Sequence, residues 1–111
     1  MEAHGQAAFA EAMNQLWIRF LPQMEERLAV LESANRAFAE DALPDELRGD
    51  AAAAAHKLAG VLGTFGLEKG TELAREAEIL YSGTPTASPE TKQRLASITT
   101  QLVEQIRTRR T

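Results

Sequence analysis

The sequence predicts an all-α fold, an antiparallel up-down four-helix bundle with a short extra N-terminal helical segment. Apolar residues recur in steps of three and four, helix-start and helix-stop residues divide the chain into segments, and no alternating strand pattern is present. The 111 residues, 44% of them hydrophobic, are enough for one domain with a core. We therefore expect a flexible N-terminus over residues 1–6 and a single helical bundle domain over residues 7–111.

The first apolar series covers residues 7–39, and Pro22 interrupts it. Either one long helix bends near residues 18–21, or a first helix ends there and a longer one begins with Pro22 in its first turn. Trp17 and Phe20 lie close to this point, and packing in the core is the favoured interpretation over a partner-binding patch. The members of the series are Phe9, Met13, Leu16, Trp17, Phe20, Leu21, Met24, Leu28, Leu31, Ala34 and Phe38.

The second bundle helix is predicted to start near Pro44, a residue that suits a first helical position. Gly49 weakens the first turns, so the well-formed part is expected to begin at Asp50 and to run to about Thr64. Gly66 is a natural stop for this helix.

The third helix covers Leu67 to about Tyr81 and follows so closely that the second and third helices should form an antiparallel hairpin. After the loop at residues 82–87, Ser88 as N-cap and Pro89 at the first helical position start the last helix. Its basic end at residues 107–110 is explained by the preference of helix C-termini for cations, rather than by a phosphate site.

The outer face of the second bundle helix is unusual because it is almost bare. His56 lies roughly 160° from the apolar stripe that contains Leu58. Glycine inside a helix costs roughly 1 kcal/mol relative to alanine, so Gly60 and Gly63 need a reason, and close approach of another surface to the imidazole would supply one. The helical neighbours of His56 on this face are Gly49, Ala52, Ala53, Ala59, Gly60 and Gly63.

Composition and motifs exclude several classes of function. A formal net charge of −4 argues against nucleic acid as a partner, and no apolar run reaches the length of a membrane span. Without cysteine, a signal peptide or a transmembrane segment, the expected location is the cytoplasm. No metal site is expected, because the residue three before His56 is Ala53 and the other histidine, His4, falls in the flexible N-terminus. No nucleotide-binding glycine loop is present either.

What remains is one exposed imidazole, which is largely neutral at cytoplasmic pH and therefore nucleophilic at nitrogen. It could accept an activated group if a partner supplied that group together with the metal ion and the electrostatics. The alternative is a core histidine, with the glycine and alanine face packed against another helix.

The segment from Ala55 to Leu67 is more specific than the isolated histidine. The helix after it adds apolar residues at Leu73, Ala77 and Leu80. The segment resembles the motif of the histidine phosphotransfer (HPt) domain family, in which glycines and other small residues follow the reactive histidine. The segment reads Ala55-His56-Lys57-Leu58-Ala59-Gly60-Val61-Leu62-Gly63-Thr64-Phe65-Gly66-Leu67.

The resemblance implies that His56 accepts a phosphoryl group on Nε2 from the aspartyl phosphate of a receiver domain and passes it to another receiver, without autokinase activity. Gly60 and Gly63 would let the receiver approach, and docking would use the second and third helices with the region of Trp17 and Phe20. The expected partners are response-regulator receivers, with a hybrid sensor histidine kinase as a further candidate. This chain would be a monomer without a cofactor, and the receiver would bring the Mg²⁺.

One position departs from the family pattern. Many members carry a lysine three residues after the histidine, where this chain has Ala59. Lys57 could bring its ammonium near the phosphoryl group or remain a solvated side chain, and both alternatives stay open. Thr64 is a weaker candidate for a polar contact. The alternative function is a helical adaptor that docks a receiver or another signalling protein without phosphoryl transfer.

Overall fold

The computed structural model describes residues 2–109, with side chains from residue 5 onward, and this part of the chain forms four helices. They are α1 (Glu2–Ala39), α2 (Asp45–Thr64), α3 (Glu68–Ser82) and α4 (Pro89–Thr108). Helix α1 packs against α2 and α4, and α3 packs against the same two helices. The predicted all-α four-helix fold is confirmed. None of the helices in this part of the chain is long and apolar enough to cross a membrane.

The extra N-terminal segment is the first part of α1 and is not a separate helix. Of the two alternatives at Pro22, the structure has the single helix, 38 residues long. Proline removes one backbone donor, which leaves the carbonyl group of Ile18 without its helical partner. Pro22 and Ile18 are both exposed, so water can satisfy that carbonyl group. The helix is continuous from Glu2, while Met1 and the side chain of His4 lie outside the described residues.

Helix α2 begins at Asp45, close to the start predicted near Pro44. It is helical through Gly49, so the expectation that its well-formed part begins only at Asp50 is wrong. Pro44 is the N-cap, and the acidic residues Asp45 and Glu46 lie in the first turn, where they complement the positive end of the helix. The cost of one glycine is smaller than the gain from packing this helix into the bundle.

The core contains the apolar stripes that the sequence indicated on all four helices. Trp17 lies in it with 2% of its surface exposed, so core packing is confirmed for this residue. Its ring makes an edge contact with Phe65, with centroids 5.0 Å apart, and closes the end of the bundle where α2 turns into α3. Other members with no more than 2% exposure include Met24, Leu28, Leu31, Leu58, Leu62, Leu73, Tyr81, Leu95, Ile98, Leu102 and Ile106.

A short turn fixes α3 beside α2. Gly66, at a φ of +72°, follows the end of α2, and the amide of Leu67 donates to the carbonyl of Leu62 at 2.9 Å, as in a Schellman motif. Gly70 then lies so close to Leu62 that a Cβ on Gly70 would be 3.0 Å from Leu62 Cδ1. The predicted hairpin therefore has a fixed register.

Three helices are joined by a polar network inside the bundle. The Asn35 amide donates to the Leu95 carbonyl at 3.0 Å and to Thr99 Oγ1 at 2.5 Å, and its oxygen accepts the hydroxyl of Tyr81. Burial raises the pKa of Tyr81 to about 12. Within the described residues no buried side-chain N or O atom is left without a partner. The network thus connects α1, α3 and α4 at little desolvation cost.

Helix α4 starts as predicted, because Ser88 Oγ accepts the Thr91 amide at 3.2 Å and Pro89 takes the first helical position. An ion pair on the surface holds α4 to α3: Arg94 donates two hydrogen bonds to the carboxylate of Glu76, at 2.5 and 2.6 Å. These hydrogen bonds lower the pKa of Glu76 from its ordinary value of 4.5.

We expect the Arg94→Gln change to lower stability at neutral pH and to have less effect in acid. Because the folded state holds the pKa of Glu76 below its unfolded value, the unfolded chain binds more protons between the two values. The pair therefore contributes fully above about pH 4.5 and loses its contribution as pH falls through the folded pKa. Thermal unfolding of both proteins across this pH range measures the difference. Arg19→Gln is the control, because it removes a guanidinium that makes no ion pair within residues 5–109. Its difference in stability from the wild type should not change as the pH falls.

Candidate functional site

His56 lies on the surface of α2, in the third turn before its end, with 73% of its side chain exposed. The alternative interpretation, a histidine buried in the core, is therefore wrong. The imidazole is not solitary, however, because Nδ1 lies 2.9 Å from Oε2 of Glu78 on α3. Glu78 was not among the residues that the sequence indicated for the site.

The contact with Glu78 determines which ring nitrogen is available. A carboxylate can only accept a hydrogen bond, so the nitrogen that faces it carries the proton. In the neutral ring the other nitrogen, Nε2, then holds the lone pair. Glu78 also restrains the rotation of the imidazole, while the 31% exposure of its side chain leaves it partly hydrated. The arrangement presents a nucleophilic nitrogen in a defined direction.

The register of the hairpin explains why Glu78 meets His56. Counted from the turn between α2 and α3, the two residues lie at similar separations in sequence, and antiparallel helices bring such residues together. A second contact has the same origin, since Thr71 Oγ1 donates to the carbonyl of Ala59 at 3.2 Å. The hairpin was predicted, and applying its register to the charged residues of α3 would have identified Glu78.

Two depressions flank His56. The first, about 500 Å³, lies between α2 and α3 and is lined by His56, Ala59, Gly60, Arg75, Glu78, Ile79 and Ser82. The second, about 650 Å³, lies between α1 and α2 and is lined by Leu16, Phe20, Gln23, Arg27, His56, Lys57, Gly60, Val61, Thr64 and Phe65. His56 and Gly60 border both, so the imidazole stands on a ridge with open space on each side.

The glycines predicted at the site are exposed. A Cβ on Gly60 would meet no atom within 4 Å, and a Cβ on Gly63 would meet only Thr71 Oγ1, at 3.4 Å. Neither glycine is required by packing within the bundle. Around the imidazole, the surface of α2 therefore has fewer projecting side chains than a typical exposed helix face. A partner that docks closely needs this space.

Ala59 differs from the prediction that placed it on the bare outer face, because it is 5% exposed and packs in the core. The face covered by α3 is wider than the apolar stripe indicated, since small residues let the two helices approach closely. Ala59 still borders the depression between α2 and α3 from below.

Thr64 and Lys57, the two polar side chains of α2 predicted near the phosphoryl group, have different surroundings. The hydroxyl of Thr64 donates to the carbonyl of Gly60 at 3.1 Å, a bond within the helix. Lys57 is exposed and borders the α1–α2 depression, and it also lines a smaller one that includes Glu26 and Asp50. Lys57 is thus placed on the α1 side of His56.

The apolar surface near His56 also differs from expectation. Trp17 belongs to the core, and Phe20 is half buried with its ring centroid 6.3 Å from that of Phe65. The large exposed apolar residue beside His56 is Ile79 on α3, with 74% exposure. Sequence reasoning did not single out Ile79, although its position one residue after Glu78 follows from the same register.

Comparisons with known proteins agree with this geometry. The sequence model of the Hpt domain family matches residues 15–109. The chain is also 30% identical over 101 residues to protein RcaC of Microchaete diplosiphon. That alignment covers 91% of this chain and 16% of RcaC, so the chain spans only a small part of this relative. No solved structure gives a significant match.

Proposed function

The chain belongs to the Hpt domain family, which carries phosphoryl groups in two-component signalling, and we propose that His56 accepts its phosphoryl group from the aspartyl phosphate of a receiver domain. In this proposal the chain then passes the group to a second receiver and has no autokinase activity. The observation that carries the proposal is the exposed imidazole whose Nδ1 is held by Glu78.

The transfer itself is a substitution at phosphorus. Nε2 of His56 forms a bond to the phosphorus atom while the bond from phosphorus to the aspartyl oxygen breaks, and the aspartate leaves as a carboxylate. The ring keeps its proton on Nδ1, so the phosphorylated imidazole carries a positive charge. Glu78, 2.9 Å from Nδ1, balances that charge. Reversal of the same steps on another receiver returns the neutral ring.

Docking of the receiver would use the surface on both sides of His56. Gly60 and Gly63 leave space for the loops that surround the receiver's aspartate, and Ile79 and Phe20 supply apolar contacts on the two flanks. We propose that the receiver brings the Mg²⁺ that its own chemistry requires. Within residues 5–109 no three acidic or histidine side chains are grouped so as to hold a metal ion. We further propose that the chain acts as a monomer.

The direct test is incubation with receiver domains that carry a radiolabelled aspartyl phosphate. We expect label to appear on this chain and to show the lability of phosphohistidine, lost in acid and retained in alkali. A second, unlabelled receiver should then remove it. The proposal is wrong if none of the receivers encoded in the same genome transfers label.

A substitution at Gly60 should separate docking from stability. Gly60→Gln places a long side chain beside the ring, and its Cβ would meet no atom within 4 Å. We expect transfer to slow by about tenfold, the effect of about 1.4 kcal/mol. The free energy of unfolding should rise by up to about 1 kcal/mol, because glycine is a poorer helix former than glutamine. Transfer kinetics and denaturant unfolding measure the two effects.

Gly49→Gln is the matched control for this change. Gly49 is an exposed glycine of the same helix with equally open space around its Cβ, and it lies roughly 10 Å from His56 along the axis. It should give a similar gain in stability and a smaller effect on transfer. Equal rates for the two variants would contradict close approach at Gly60.

A further inference from the structure

Arg75 is a cation at the site that the family motif does not account for. It is exposed on α3, one turn before Glu78, and it lines the same α2–α3 depression as His56. Within residues 5–109 its guanidinium makes no ion pair or hydrogen bond. The acidic side chain in this depression is Glu78, which is engaged with the imidazole.

The hairpin register places Arg75 opposite Ala59. His56 meets Glu78, and Gly63 lies against Thr71, so a step of one turn along α2 corresponds to a step of one turn back along α3. Between these two pairs the same register matches Ala59 with Arg75. A lysine three residues after the histidine would project into the space where Arg75 lies instead. The small side chain of Ala59 leaves that space open to the guanidinium.

Lys57, the cation that the sequence singled out, has different surroundings. It lines a depression that contains the carboxylates of Glu26 and Asp50, on the α1 side of the ridge. Those charges favour a position of its ammonium away from α3. The carboxylate that shares a depression with Arg75 is that of Glu78, and it already contacts the imidazole. The planar guanidinium of Arg75 can donate two parallel hydrogen bonds to phosphoryl oxygens.

We propose that Arg75 binds the phosphoryl group on His56 and so replaces, from the neighbouring helix, the lysine that this chain lacks at Ala59. This inference rests on the proposed function. Arg75 would donate hydrogen bonds to the phosphoryl oxygens while the bond from phosphorus to the leaving atom breaks and the bond to Nε2 forms. It would thereby hold the phosphoryl oxygens in place and offset their negative charge while both bonds to phosphorus are partial, without giving up a proton.

A small phosphoryl donor tests Arg75 without a receiver. Phosphoramidate can transfer its phosphoryl group to Nε2 of an exposed histidine: the phosphorus–nitrogen bond of the donor breaks, ammonia leaves, and a new bond from phosphorus to Nε2 forms. We expect Arg75→Ala to slow this reaction by about threefold to tenfold, less than for an enclosed site because solvent screens the charge. Intact-protein mass spectrometry follows the product.

Two further variants control this test. Lys69→Ala removes one positive charge from the same helix outside the depression and should leave the rate close to that of the wild type. Arg75→Lys should keep most of the rate. The wild-type reaction should also be inhibited by added salt more strongly than the Arg75→Ala reaction, a difference that a purely structural role would not produce.

The outcomes separate the two proposals. Equal rates for Arg75→Ala and Lys69→Ala with phosphoramidate would overturn the role of Arg75, whatever the receivers do. A wild-type chain that reacts with phosphoramidate but takes no label from any receiver would instead contradict the proposed phosphorelay function. In that case the phosphoramidate rates still decide whether Arg75 binds the phosphoryl group.

Discussion

The His56→Gln change should reduce the label acquired from a phosphorylated receiver to background while the fold stays intact. Glutamine has no nucleophilic ring nitrogen, yet its amide can still donate a hydrogen bond to Glu78. Because the His56 side chain is 73% exposed, the substitution removes little packing, and we expect the unfolding midpoint to change only slightly. Transfer assays and thermal unfolding of the same preparations provide the measurement.

The same variant distinguishes phosphoryl transfer from the adaptor alternative. Binding of a receiver should be largely retained, since the docking surface around Gly60 and Ile79 is unchanged. A variant that binds a receiver but neither takes up label nor supports signalling agrees with transfer. If binding and signalling both survive intact, the chain works as an adaptor and the transfer proposal is wrong.

The second large effect concerns stability, and we expect Leu62→Ala to lower the free energy of unfolding by about 3 kcal/mol. Leu62 is fully buried and lies against Gly70, so the truncated side chain leaves a cavity that the glycine cannot fill. The midpoint of thermal unfolding should fall by about 10 °C or more. Denaturant unfolding gives the free energy directly.

Ile79→Ala is the matched control for this change, because it deletes a similar aliphatic side chain from the adjoining helix. Ile79 is 74% exposed, so its truncation should change the stability by less than about 0.5 kcal/mol. Comparable losses in the two variants would mean that the α2–α3 hairpin is not held by Leu62. Any weaker docking of a receiver by Ile79→Ala would be a separate effect, on the surface beside His56.

Apolar periodicity was sufficient to predict the four helices, because each buries a stripe of regular spacing. It was less reliable at Pro22 and Gly49, where residues that disfavour helices lie within helices. At both positions the outcome depends on tertiary packing, which outweighs a local cost of this size. The order in which the helices pack follows from the short connections, and the structure has that order.

From the sequence, only the part of the site that lies on α2 could be predicted. His56 and the glycines after it could be located because they share a face of α2. Glu78 reaches the imidazole from α3, Arg75 on the same helix lines the depression beside it, and the burial of Ala59 also depends on α3. Contacts between helices are set by their register, which periodicity within a single helix does not contain.

The short turn at Gly66 has a consequence for the lengths that related sequences can have. An extra residue in this turn would break its hydrogen bonds, and one taken up into the start of α3 would rotate the rest of that helix by about 100° and shift it by about 1.5 Å. Glu78 would then lose its contact with the imidazole, Arg75 would leave the depression beside it, and Gly70 would no longer lie against Leu62. Insertions and deletions should therefore be absent from this connection in active relatives. Residues 83–88, between α3 and α4, line neither depression beside His56, so this loop can vary in length.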